Sequence, residues 1–161
     1  MSKRFLALAL LLTTAVLAAA CGGSSKSTAS GNSTVSTADT SVATILVDRD
    51  GDTLYLFAKD SGGTSSCTGA CAKAWPPAAP SSAKLRAGSG AKASLLTTIT
   101  RGGGTRQLSY NGHPLYTFSG DNKAGDLKGQ GSNAFGANWY VVSPAGTSIT
   151  KRASPPHGMG Y

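Results

Sequence analysis

One pattern is written twice in this chain, and that duplication limits its possible folds more than any other feature. Gly51-x-x-Leu54-Tyr55-x-Phe57-x-x-Asp60 returns 61 residues later as Gly112-x-x-Leu115-Tyr116-x-Phe118-x-x-Asp121. In 161 residues a unit of that length fits twice with little to spare, so two similar units must share one core. Within each copy the Tyr and Phe stand two positions apart, which is the period of a strand, so both rings point to one face. Each Asp falls just past the strand, where its carboxylate can accept hydrogen bonds from amides of the following loop.

The residues around the two copies also read as strands. Val42–Val47 is β-branched and apolar, residues 48–52 form a turn, and Thr53–Phe57 follows, together a hairpin. In the second copy Gln107–Tyr110 enters Asn111-Gly112, both of which tolerate positive φ, and leaves as Pro114–Phe118. Ser94–Thr100, Asn138–Val142 and Ser148–Lys151 complete the expected strands, with Pro144-Ala145-Gly146 turning between the last two. Only Ala70–Trp75 has the makings of a helical turn. Charged residues are 14% of the chain, while 21 Gly and 7 Pro punctuate it, a composition that excludes a coiled coil or helical bundle. The fold class expected is therefore all-β: a small β-rich domain of two pseudo-repeated hairpin units.

The N-terminal residues carry an address. Met1-Ser-Lys-Arg is a basic start, Phe5–Ala20 is apolar, and Ala18-Ala19-Ala20 offers small residues before Cys21, the layout of a secretory signal peptide over 1–20. The apolar run is short for a membrane span. Cys21 with Gly22-Gly23-Ser24-Ser25 resembles the lipobox of bacterial lipoproteins, although Ala18 stands where that pattern favours Leu. The resemblance implies a diacylglyceryl thioether on Cys21 and a fatty-acylated amino terminus after cleavage, and acyl chains of that number anchor a protein stably. Residues 24–40 are Ser, Thr, Gly, Ala and Asn with hardly an apolar side chain, so 21–40 reads as lipidated cysteine and flexible tether. The β-rich domain is then expected over 41–161, with repeat 1 at about 41–85, repeat 2 at about 95–150 and a tail at 151–161.

Without Lys3 and Arg4 of the leader, the 15 basic side chains fall to 13 against 7 acids, a surplus of +6. In a cytoplasmic protein that surplus would point to nucleic acid. An exported chain meets none, so anionic envelope polymers or lipid headgroups are the partners expected, alongside the membrane reached through the anchor. Lys84, Arg86 and Lys92 share one polar segment, and Lys123 and Lys128 another.

Material for chemistry is scarce. All seven acids are Asp, and the two histidines, His113 and His157, are far apart. Tyr55, Phe57, Tyr116 and Phe118 could form a stacking platform for a flat ligand, but aromatics are 7% of the chain and a core needs them, so a core role is expected. Asp60 and Asp121 occupy equivalent places in the two repeats, which suits turn capping better than a catalytic carboxylate pair. Asp48, Asp50 and Asp52 are spaced like oxygen ligands for calcium, yet Gly51 is misplaced for such a loop and the second repeat discards the charges. With Cys21 lipidated, Cys67 and Cys71 remain, and two thiols outside the cytoplasm most simply pair as a disulfide. A redox dithiol usually has two intervening residues rather than three, and a zinc site lacks further ligands nearby. His157 and Met159 could hold copper but make only two ligands in a Pro- and Gly-rich tail. Gly102-Gly103-Gly104 has no Lys-Ser/Thr after it and reads as a turn, and no nucleophile-elbow motif marks a hydrolase.

Taken in order, Tyr55-Leu56-Phe57-Ala58-Lys59-Asp60, Cys67-Thr68-Gly69-Ala70-Cys71 and Trp75-Pro76-Pro77 are followed by Tyr116-Thr117-Phe118-Ser119-Gly120-Asp121, Gly129-Gln130-Gly131 and Trp139-Tyr140. Together, over about residues 41–146, they resemble the bacterial secreted-repeat lipoproteins with a Tyr-x-(Phe/Trp/Tyr)-x-x-Asp motif, a family of unknown function. The resemblance implies an envelope location and a repeat architecture without supplying a substrate. The function expected is a lipid-anchored extracytoplasmic binding or structural module of the bacterial envelope. It is expected to be no enzyme and to need no cofactor or metal. The alternative is a metal- or redox-related accessory protein using Cys67, Cys71, His113 or the tail, and a hydrolase stands third.

Overall fold

A computed structural model describes residues 33–152. The leader, Cys21, and His157 and Met159 of the tail lie outside those residues. The described chain is built from eight short strands: β1 (Val35–Asp39), β2 (Thr44–Asp48), β3 (Tyr55–Phe57), β4 (Leu96–Thr100), β5 (Arg106–Tyr110), β6 (His113–Pro114), β7 (Asn133–Ala134) and β8 (Ala137–Val141). One short helix, α1 (Ala70–Ala74), ends where the Trp75 amide bonds back to the Cys71 carbonyl and Pro76 follows. All the ladders are antiparallel, in the orders β1-β2, β3-β8-β7 and β4-β5-β6. This is the all-β domain the sequence implies.

The repeat is visible in the ladders. Shifting β1 by 61 residues lays it on β4, and the hairpin β1-β2 has its counterpart in β4-β5. At the centre the two copies meet as partners: the Tyr55 amide donates to the Tyr116 carbonyl at 2.8 Å and the Tyr116 amide to the Tyr55 carbonyl at 2.9 Å. Leu46 N to Val142 O and Leu54 N to Leu46 O tie β2 to the same central layer.

The folded part begins earlier than composition implies. Residues up to 40 read as tether, with the domain starting near Ser41, yet β1 starts at Val35, which is fully buried. The segment is poor in apolar side chains but rich in paired backbone. One edge of β1 pairs with β2, and the other meets residues 86–89 through Thr34 N to Arg86 O, Gly88 N to Val35 O and Thr37 N to Ser89 O. Two bonded edges and one inserted Val offset the ordering entropy that the composition alone would not.

Several strands are also shorter than their apolar runs. Residues 114–118 divide, because His113–Pro114 pairs with β5 while Tyr116 crosses to Tyr55 and Pro77. From 148–151 only Ser148 bridges to Val142, with Ile149 N bonding Val141 O.

Alternation then sorts side chains into two cores. Ile45, Val47, Tyr55, Phe57, Tyr116 and Val141 face an aromatic core, and their neighbours Leu46, Leu54, Leu56, Leu115 and Val142 face an aliphatic one with Val35, Leu108 and Tyr110. The central strands are thus buried on both faces, which explains runs such as Leu54–Phe57 with no polar residue.

Candidate functional site

The motif residues converge on the aromatic core, and each repeat completes the other. The Tyr55 hydroxyl of the first copy donates to Asp121 Oδ2 of the second at 2.7 Å, and the Tyr116 hydroxyl of the second donates to Asp60 Oδ2 of the first at 2.5 Å. Each carboxylate's other oxygen holds its own loop. Asp60 Oδ1 accepts from the Ser66 amide and hydroxyl at 2.7 and 2.8 Å, and Asp121 Oδ1 accepts from the Lys128 amide at 3.0 Å. The two carboxylates are therefore spent on two separate tyrosines and two separate loops.

Between these pairs lies a column of four rings. Phe57 stacks on Trp139 with centroids 4.1 Å apart, Trp139 on Trp75 at 3.9 Å, and Trp75 on Phe118 at 4.3 Å, so rings from the two repeats alternate one by one. Tyr55 and Tyr116 close the sides edge-on, against Trp75 and Trp139 respectively. The faces of both tryptophans are covered by other rings, so the column works as core and offers no open indole face to a flat ligand. Gly129 is required by this packing: a Cβ there would come within 2.7 Å of Trp75 and 3.0 Å of Tyr55.

Burial sets the protonation of the two phenols. The Tyr116 hydroxyl is pushed up to about 12, first by burial and then by its hydrogen bond to Asp60. Tyr55 is raised further, by burial and then by Asp121. Asp121 itself is raised, because burial outweighs the bonds from Tyr55 and Lys128. The phenols stay neutral donors at any physiological pH.

Cys67 and Cys71 form a disulfide with Cα atoms 5.2 Å apart, and both are buried against the aromatic core. A pair so enclosed is a staple at the start of α1, not an accessible redox couple. Closing a loop this small contributes about 2 kcal/mol in the chain-entropy model.

The profile of a lipoprotein family described as a secreted repeat of unknown function matches residues 36–79 and again residues 97–143. The chain belongs to that family. No curated protein and no solved structure matches it. The two matched stretches contain the two hairpins and both members of each Tyr–Asp exchange, so the secreted repeat is, in structural terms, one half of a reciprocal pair. A secreted location also agrees with the disulfide, which persists in oxidising compartments. Among the described residues no helix is long and apolar enough to cross a membrane.

Other candidate residues of this secreted-repeat protein are not drawn together into a reactive centre. His113 lines a cavity of about 320 Å³ with Asp60, Tyr140 and Ser148, but both oxygens of Asp60 are engaged elsewhere and among the described residues no hydrogen bond joins the histidine to either Asp60 or Ser148. No three His, Cys or Asp side chains converge as metal ligands among the described residues. Asp48 turns back on its own hairpin, where Oδ1 accepts from the Asp50 and Asp52 amides at 2.9 Å each. Lys128 pairs with Asp126 at 3.2 Å. Lys84, Arg86 and Lys92 are exposed, on a segment that runs along β1.

One cluster escaped the reading of the sequence. Arg101 Nη1 donates to Ser65 Oγ at 2.5 Å and to Gln107 Oε1 at 2.7 Å, and Nη2 donates to the Cys67 carbonyl. Ser65 Oγ also meets the Tyr116 hydroxyl at 2.7 Å, and the fully buried Gln107 donates to the Leu115 carbonyl. The signal that could have found it is a departure from the repeat: 61 residues earlier stands Thr40, whose hydroxyl bonds only its own turn, at Ala43 O, Ala43 N and Val42 N.

Proposed function

We propose that this secreted-repeat protein is a lipid-anchored module of the bacterial envelope that acts by binding and scaffolding rather than by catalysis, held at the membrane through Cys21 and pressed towards it by charge. The supporting observation is where the chain enters the fold. Residues 33 and 34 lead into β1 beside Arg86, so the exposed Lys84 and Arg86 lie at the edge where the domain is tied to its leader. From Cys21 to Ser33 is a short run, about 40 Å even if fully extended. The domain therefore stays near the headgroups with a basic edge next to its attachment. Attraction to anionic headgroups at that edge falls off over a Debye length of about 8 Å, so it acts on contact and weakens with salt.

Two measurements test the proposal. Metabolic labelling with a fatty acid should be lost in Cys21→Ser, and persistent label would remove the anchor. The protein carrying Cys21→Ser should co-sediment with anionic vesicles at low salt, and Lys84→Ala and Arg86→Ala, made singly, should each weaken this more than Lys123→Ala does. Equal effects at all three lysine and arginine positions would assign the charge to general solubility.

A further inference from the structure

We infer that the pocket at Arg101 is a binding site for a small oxyanion, a carboxylate or phosphate group, independent of the membrane anchor. The pocket lies between the loop after β3 and the turn joining β4 to β5, so each repeat provides one wall. It encloses about 190 Å³ and is lined by Gly63, Thr64, Ser65, Thr68, Arg101 and Gly102, with Ile99 and Thr100 alongside. A space of that size suits one functional group of a ligand rather than a drug-sized molecule.

The charge arrangement carries the assignment. Arg101 is half-buried and always cationic, yet all three of its hydrogen bonds go to neutral oxygens, those of Ser65, Gln107 and Cys67. The ion pairs among the described residues are Arg49 with Asp50 and Lys128 with Asp126, so no carboxylate neutralises it. The nearest acid in the network, Asp60, is reached only through Ser65 and Tyr116, and its oxygens are already bonded to Tyr116 and Ser66. Of the five guanidinium N–H groups, Nε–H and one on Nη2 have no partner among the described residues. A guanidinium steadied on neutral acceptors, with donors to spare and Thr64 and Thr68 among the residues lining the same pocket, fits the planar or tetrahedral oxygens of an oxyanion.

A turn between paired strands does not by itself require an arginine here. Its counterpart in the first repeat is Thr40, which closes a turn one residue shorter (40–43 against 101–105) with local bonds alone. In the second repeat Arg101 also satisfies the buried Gln107, whose counterpart is Leu46, and the N–H groups left over after these bonds are the ones offered to a ligand.

The test is a titration of the purified full chain with sodium phosphate and with sodium acetate, against sodium chloride at matched ionic strength, following the backbone amide signals of Gly63, Thr64 and Gly102. Saturable shifts confined to that loop pair are expected with an oxyanion and not with chloride, and the salt that saturates first tells phosphate from carboxylate chemistry. Absence of saturation with both oxyanions would overturn the inference. Arg101→Thr, which installs the first repeat's residue, should weaken binding about tenfold or more, since a charge-assisted bond is lost. Should that variant fail to fold, Arg101→Lys keeps the charge and loses the fork, and binding as tight as the parent's would count against the site.

Discussion

At the scale of single residues, the duplicated Tyr and Asp turn out to be exchanged. The sequence allowed each Asp to be placed after its strand with its own loop amides in reach, because that relation is local. It did not allow the partner of each Tyr to be named, because the Tyr55–Asp121 and Tyr116–Asp60 bonds span 66 and 56 residues and depend on how the copies face each other. The exchange has a consequence for alkaline stability. An unfolded tyrosine loses its proton near pH 10, whereas Tyr116 holds it to about 12 and Tyr55 beyond. Above pH 10 the unfolded chain therefore binds fewer protons than the folded one, so stability is full below pH 10 and falls as pH rises towards 12. Urea midpoints at pH 8, 10, 11 and 12 should trace that fall. Tyr116→Phe should lower stability at pH 8 by about 1–3 kcal/mol, through the unpaired Asp60 oxygen, and should make the alkaline fall shallower. An equally steep fall in the variant would place the titration elsewhere.

At the scale of elements, the Asn111-Gly112 hairpin was legible, whereas the hairpin expected from 42–47 and 53–57 keeps a single Val47–Thr53 bridge because β2 pairs with β1 and β3 with β8, partners set by distant pairing. Asn111 and Gly112 adopt φ of 50° and 79°, the turn their side chains favour, and β5-β6 follows in register. The helical turn at Ala70–Ala74 was equally local. β1 was hidden by a composition that suits a tether, although laying Leu96–Thr100 over Val35–Asp39 by the 61-residue shift would have exposed it. β3 and β6 end where the chain is handed from one ladder to the next, and nothing in their own residues marks that point. Because β1 bonds on both edges and buries Val35, it belongs to the cooperative unit. A chain starting at Ser33 should melt with the parent, while one starting at Ser41 should lose at least about 3 kcal/mol in chemical denaturation, from burial of Val35 and the lost ladder. Identical midpoints for the two truncations would return residues 33–40 to the tether.

At the scale of the whole molecule, the two repeats are not two domains. The column Phe57–Trp139–Trp75–Phe118 alternates between copies, the central backbone pair joins Tyr55 to Tyr116, and both phenol–carboxylate bonds cross the same boundary. A half-chain would therefore keep its hairpin and its helical turn but expose half of every contact that defines the core. Each stacked or edge-on ring pair is worth about 0.5–1.5 kcal/mol beyond the area it buries, and a piece of about 60 residues has little stability to lose. Residues 33–90 and 91–152, produced separately, should each lack the near-ultraviolet dichroism of the stacked indoles and should melt without a cooperative transition. The full chain should show one transition, coincident by tryptophan fluorescence and far-ultraviolet dichroism. Cooperative melting of either half alone would mean that the repeat folds as a unit and that the exchanged bonds only dock two finished pieces.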